Sequence, residues 1–261
     1  MPAVAGSFYP SHVEQLQQEI DNYLDEYTAV DIVPKALIVP HAGYCYSGAI
    51  AGHAYNYLKN GKKTIKRVVL LGPSHRVALQ GCAVPSSDVF TTPLGDVSVE
   101  QSACEKLQTL GLAVCSDQAH QWEHALEVQL PFLQTALNKF ELIPIVVGAC
   151  QPEDVSALLK ELLSEQVQST LIVVSTDLSH YHAYEEAQLL DNNTITRILA
   201  LSSDIASENA CGCYAVNGLL RFSKLKDWQI KLVSKANSAD SKNISNVNKA
   251  QVVGYASFIL Y

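Results

Sequence analysis

Four short runs in the chain are apolar without interruption: ALIV at 36–39, VVLL at 68–71, LIPIVV at 142–147 and LIVV at 171–174. Each is bounded by turn-forming residues, and a strand with no polar alternation is one buried on both faces. Between the runs the apolar spacing changes to a helical period. SGAIAGHAYNYLKNG at 47–61 has Ser47 as a candidate N-cap and Gly61 as a stop, and EQSACEKLQTLG at 100–111 also ends on glycine. In EHALEVQLPFLQTAL the residues Leu126, Leu130, Leu133 and Leu137 form one stripe, within which Pro131 predicts a kink or a break. PEDVSALLKELLSEQ at 152–166 carries Pro152 in a first helical turn. Near the end, WQIKLVSKAN and VVGYASFILY read as two further strands joined by a polar loop, SADSKNISNVNKA. Strands alternating with helices predict a three-layer α/β domain with a mostly parallel central sheet. No repeat, low-complexity tract or Pro/Ser-rich linker divides the sequence, so one domain over 1–261 is expected.

Composition narrows the partners. An apolar fraction of 48% with 17% charged residues fits a folded chain with a substantial core. The net charge of −8 leaves no average basic surface for nucleic-acid phosphates or anionic lipid, so a small molecule, a peptide or a protein is the expected partner. MPAVAGSFYPSH lacks the plan of a signal peptide and no apolar run is long enough to span a bilayer, which predicts a cytoplasmic protein. The 7 cysteines, at 45, 82, 104, 115, 150, 211 and 213, are scattered and include no C-x-x-C pair. That pattern argues against a disulfide framework or a zinc knuckle, and most of them read as buried small apolar residues.

Three of the apolar runs lead directly into polar loops that carry histidine. ALIV-PHAGY brings His41, VVLL-GPSH brings His75, and LIVV-STDLSHYH brings Asp177, His180 and His182. In a parallel sheet the carboxyl ends of the strands share one edge, where crevices form, so residues far apart in sequence converge there. One such histidine reads as a turn residue bonded to local backbone. Three of them read as a site, with His41 and His75 as neutral imidazole ligands of a divalent metal; imidazole suits iron, copper and zinc alike. Gly43 and Gly72 serve the turns in either case. Asp177 has three readings: it orients a histidine, binds metal, or caps a following helix. His180 and His182 share a face on a regular strand and diverge at a helix start, and only one of them is needed.

The segment AHQWEHALEVQLPF adds His120, Glu123, His124 and Glu127. His120 and His124 have zinc-protease spacing, but Gln121 stands where that motif has its catalytic Glu. His124 and Glu127 share one helix face and either reach the crevice together or form a solvated face opposite the leucines. Cys211 precedes the helical run YAVNGLLRF; a helix N-terminus favours its thiolate, although taken alone it reads as buried and inert.

Taken together, these stretches resemble the MEMO family, which includes the bacterial and archaeal "AmmeMemoRadiSam system protein B" chains. The matches are AGSFYP at 5–10, PHAGYCYSG at 40–48, GPSH at 72–75, FTTPLGD at 90–96, EHALEVQLPFL at 123–133, IPIVVG at 143–148, STDLSHY at 175–181, CG at 211–212 and VVGYAS at 252–257. The resemblance implies the fold of the class III extradiol dioxygenases, non-haem iron(II) enzymes that open catechol rings. It also implies a metal site of His41, His75 and Cys211, with His180 as acid/base and Asp177 and His124 in the same pocket. Iron(II) is the foremost metal, with copper or zinc as alternatives; a thiolate in place of the usual carboxylate tilts the site toward copper(I) or a redox-sensitive iron. After Cys211 the family's basic residue and Pro-Ile pair are replaced by CYAV, which leaves Cys213 as a competing ligand, and Ala125 stands where serine is common.

The leading expectation is thus a cytoplasmic metal protein with oxygenase-like or redox activity on a small substrate. A second is a non-catalytic peptide- or protein-binding module whose vestigial crevice is lined by Tyr44, Tyr46, Phe90 and Tyr181. A third, a hydrolase with Cys211 as nucleophile and His180 as base, lacks a nucleophile-elbow pattern.

Overall fold

Successive residues of each apolar run enter opposite faces of one sheet, and this alternation builds two cores. The computed structural model describes residues 2–27, 30–164, 167–241 and 248–261. Its strands are β1 (Ala36–Val39), β2 (Arg67–Pro73), β3 (Cys82–Val84), β4 (Val89–Thr92), β5 (Gly95–Ser98), β6 (Val114–Cys115), β7 (Glu141–Val147), β8 (Thr170–Ser175), β9 (His180–His182), β10 (Ile230–Asn237) and β11 (Val252–Leu260). Its helices are α1 (Val13–Asp25), α2 (Tyr44–Tyr55), α3 (Gln101–Thr109), α4 (Asp117–His120), α5 (His124–Glu127), α6 (Leu130–Ala136), α7 (Pro152–Leu162), α8 (Tyr184–Leu199) and α9 (Cys213–Leu225).

One 9-stranded sheet has the order β10-β11-β1-β8-β2-β7-β3-β6 with β9 beside β11, and β4 and β5 form a separate ribbon. The central pairs β1–β8, β8–β2 and β2–β7 are parallel. The tail strands and β3 join antiparallel on either side. The expected parallel sheet is therefore the centre of a mixed one. Leu37, Val39, Val68, Leu70, Leu171 and Val173 pack with Leu16, Ile20, Tyr55 and Leu133 of α1, α2 and α6. Their alternates, Ala36, Ile38, Val69, Leu71, Ile172 and Val174, pack with Leu107, Leu158, Ile198 and Leu219 of α3, α7, α8 and α9. Helices, sheet and helices are the three layers, and burying every side chain of the central strands is what their uninterrupted apolar composition encodes.

Several boundaries differ from the expectation for local reasons. Helix α2 begins at Tyr44 with Gly43 at its N-cap, and Ser47 lies inside it, donating to the Ala42 carbonyl at 3.0 Å. Pro131 divides its stripe into α5 and α6 and sits in the first turn of α6, where no backbone N–H is needed. The predicted helix end at 166 and residues 242–247 of the tail loop fall outside the described residues, and Ser238–Asp240 of that loop form a short 3₁₀ turn. Helix α1 was not anticipated; it buries Leu16, Ile20, Tyr23 and Leu24, a helical stripe in an otherwise polar segment. Among the described residues no helix is long and apolar enough to cross a membrane.

Helices α7 and α9 pack closely, and a Cβ at Gly218 would lie 2.2 Å from the Cβ of Val155. Gly218→Ala should therefore destabilise the protein by about 1–3 kcal/mol through overpacking. Urea unfolding midpoints measure this, and adding Val155→Ala should recover part of the loss.

Candidate metal centre

The register of the parallel strands brings the histidine loops together. Val39 at the end of β1 pairs with Ser175 at the end of β8, and β2 lies on the other side of β8. Beyond these ends His41, Asp177 and His75 share one edge of the sheet. Helix α5 closes onto that edge because β2 carries a glycine near its end: a Cβ at Gly72 would lie 2.9 Å from Leu126 Cδ2 and 3.2 Å from Ala125 Cβ. This close seat brings His124 to His75, with ring centroids 4.7 Å apart and planes inclined by only 21°. The rings of His75 and His124 lie 5.2 and 5.4 Å from that of His41.

The ring of His41 is held in one tautomer by a buried hydroxyl. Gln129 Nε2 donates to the Pro40 carbonyl and to Ser175 Oγ, both at 2.9 Å, which fixes its amide orientation. Ser175 Oγ donates its single proton to the Ala125 carbonyl at 2.7 Å. Toward His41 Nδ1, 2.9 Å away, it is therefore an acceptor, so Nδ1 carries the ring proton and Nε2 presents a lone pair. That lone pair faces Cys211 Sγ at 3.2 Å. Burial, reinforced by the neighbouring His75, pushes the His41 pKa down to about 3, so the ring is neutral near pH 7.

His75 is held by Glu123, which the sequence reading noted without giving it a role. The buried Glu123 carboxylate accepts from the His75 backbone N–H at 2.6 Å, from His75 Nδ1–H at 2.8 Å and from the Ala125 N–H at 3.0 Å as the N-cap of α5. Burial works against its charge, but these donors, His75 first among them, hold its pKa below the ordinary value. A carboxylate on Nδ1–H leaves His75 Nε2 as the free donor, the arrangement that orients histidine ligands in metal sites. His124 Nδ1 is buried, 3.5 Å from Glu123 Oε1, without a hydrogen-bond partner among the described residues. Burial, with His41 and His75 adding, pushes its pKa down to about 4.

One ligand atom from each of His41, His75 and His124 lies within 4.8 Å of the others, a cluster that can hold a metal ion. His41 is buried, His124 half-buried and His75 exposed, so one side of the cluster is open. Three imidazoles, one with an orphaned buried nitrogen, fit a divalent ion as a donor set.

The other anticipated residues surround this cluster. Cys211 is not one of the three clustered donors; it meets His41 and lines a cavity of about 310 Å³ with Pro73, Ser74, Gly148 and Tyr214. Cys213 is buried in the core under α9, so Cys211 is the cysteine on the site. The helix terminus does not make Cys211 acidic: burial, with the Asp177 carboxylate beside it, pushes the thiol up to about 12. Its close approach depends on Gly212, where a Cβ would lie 2.7 Å from the Ser175 carbonyl. Asp177 does not cap a helix. Its buried carboxylate accepts the His41 backbone N–H at 2.8 Å and ties β8 to the β1 loop.

His180 and His182 diverge although they lie on one strand, because Tyr181 between them takes a left-handed φ of 61°. His180 lies within electrostatic reach of His41 and Asp177, whereas His182 pairs with Glu186 at 3.3 Å. His124 and Glu127 likewise part. Glu127 accepts from the backbone N–H groups of Ala3 and Val4 and from the Tyr9 hydroxyl at 2.7–3.0 Å, which straps the N-terminal segment across the site with Phe8 4.7 Å from the His124 ring. Tyr44 is largely buried and donates to the Val128 carbonyl. His120 turns away and bonds the Ala83 carbonyl.

Two measurements probe this geometry. Ser175→Ala removes the acceptor that fixes the His41 tautomer, and isothermal titration with a divalent ion should show affinity reduced about 10–100-fold. The depressed pKa values of His41 and His124 mean that the unfolded chain binds more protons than the folded one between about pH 3 and 6.5. Stability of the metal-free protein should therefore fall as pH drops from 6.5 through 4, and His124→Asn should flatten that slope in thermal unfolding.

Comparison with known proteins agrees with this fold. The Memo-like protein family matches residues 1–259. A MEMO1 family protein of Aquifex aeolicus is 37% identical, the match covering 99% of this chain and 97% of that one; one of Thermoplasma volcanium is 33% identical with the same coverage. The crystal structure of an uncharacterized protein of Escherichia coli K12 superposes with a TM-score of 0.51 at 11% identity, over 86% of this chain and 98% of that one, a likeness of fold alone. With the family matched over nearly its whole length, this chain belongs to the Memo-like proteins.

Proposed function

We propose that this chain is a non-haem metal protein, with iron(II) as the foremost ion and copper or zinc as alternatives, and that it acts in the cytoplasm as an oxidoreductase of the oxygenase type on a small substrate. The observation that carries this reading is the convergence of His41, His75 and His124 within 4.8 Å at the carboxyl edge of a parallel sheet. When bound, the metal supplies Lewis acidity and a path for electrons. The protein's part is positional. Ser175 and Glu123 hold two imidazoles in the ligating tautomer, Asp177 pins the His41 loop, and the exposed side at His75 admits the substrate. His180, within electrostatic reach of His41 and Asp177, takes the proton from a substrate hydroxyl. Cys211 works against the hydrolase alternative: a thiol held as high as about 12 is a poor nucleophile at neutral pH.

Metal analysis after anaerobic purification tests the reading. Wild type should carry iron, copper or zinc in equimolar amount, and a His41→Ala/His75→Ala variant should carry none of them. Wild type free of all three, or a variant with unchanged content, overturns the metal-centre claim. With the metal retained, His180→Gln should lower turnover of a catechol probe by about 10²–10⁴-fold.

A further inference from the structure

A second reactive group lies away from the imidazoles. Residues Gly81 and Ala149, which immediately precede Cys82 and Cys150, are joined by a backbone hydrogen bond from Gly81 N to the Ala149 carbonyl at 2.9 Å, and Gly148 N returns to the Gly81 carbonyl at 2.8 Å. Gly148 makes this approach possible: a Cβ there would lie 2.1 Å from the Leu79 carbonyl oxygen. The crossing sets the two cysteines side by side. Cys82 is buried in the apolar core on the α7–α9 face, and the half-buried Cys150 packs against that same core.

We propose that Cys150 and Cys82 form a dithiol site oxidised by hydroperoxides, in which Cys150 is the reacting thiol and Cys82 resolves it to a disulfide. The division of labour follows from burial, Cys82 being sealed in the core and Cys150 half-buried. The neighbouring thiol of Cys82 holds the Cys150 thiol below the ordinary value, and Cys150 in turn pushes that of Cys82 up. Cys150 is the more exposed of the two, so a peroxide meets it first, with Cys82 behind it in the core. The Cys150 thiolate attacks one peroxide oxygen; the S–O bond forms, the O–O bond breaks, and the leaving oxygen takes a proton to give an alcohol or water. Cys82 sulfur then attacks the sulfenic acid, the S–S bond forms, and the hydroxide leaves as water with the Cys82 proton. Two thiols lose two electrons in total, and the peroxide gains them.

This chemistry needs no metal, so it stands or falls apart from the function proposed above. Metal-free full-length protein treated with hydrogen peroxide should lose the mass of two hydrogens, and peptide mapping without reductant should find Cys82 joined to Cys150. In Cys82→Ser the Cys150 sulfenic acid should persist and be trapped by dimedone; in Cys150→Ser neither product should form. The proposal is overturned if both cysteines of wild type remain alkylatable after excess peroxide, or if folded protein joins Cys150 to Cys213 or Cys211 instead. The wild-type map decides the matter even if a variant fails to fold.

Discussion

The hydroxyl of Ser175 has one proton and three partners, and the wiring of the centre depends on how that proton is assigned. The Ala125 carbonyl and the Gln129 amide leave it only one role toward His41, that of acceptor. From that follow the His41 tautomer, the direction of its Nε2 lone pair and its contact with Cys211. The same hydroxyl ties the end of β8 to α5 and, through Gln129, to the Pro40 carbonyl and the Tyr55 hydroxyl. A wholly buried serine at the end of an apolar strand is thus the joint between the sheet and the helix that supplies His124.

Around this joint the buried carboxylates have structural work. Asp177 takes a backbone N–H from the β1 loop, Glu123 takes backbone and ring donors from the β2 loop, and Glu127 takes two backbone donors and a phenol from the N-terminal strap. A buried carboxylate is stable only when such donors surround it. Each one therefore fixes a loop that has no regular ladder of its own. The imidazoles of His41 and His124 are in the opposite position: burial and their neighbours disfavour charge, so they remain neutral bases with lone pairs to offer.

What could be read from the sequence was what recurs. The strand runs were legible because β1 and the middles of β2 and β8 are apolar without interruption, and His41 and His75 were legible because each follows such a run. Helix α1 was less visible, since its four buried residues lie among glutamine and glutamate and only their spacing marks them. Glu123 could have been found from its place as an N-cap before a short helical run, but its bonds to His75 cross 48 residues and no local pattern encodes them. Ser175 was hidden more deeply. At the end of LIVVS it resembles an ordinary turn residue, and its three partners come from two distant segments, the β1 loop and residues 125–129.

The contact between Cys211 and His41 links metal binding to proton release. With Nδ1 protonated, His41 Nε2 is an acceptor, so at 3.2 Å the Cys211 thiol is the donor. Burial keeps that thiol protonated in the metal-free protein. An ion at Nε2 must take the place of this S–H···N bond. The thiol then either turns toward the cavity it lines or gives up its proton and joins the imidazoles as a sulfur donor. A soft ion such as copper(I) gains more from the second course than iron(II) or zinc does, because thiolate is the softer ligand. The number of protons released on binding therefore separates a site of three histidines from one in which Cys211 takes part, and it does so ion by ion.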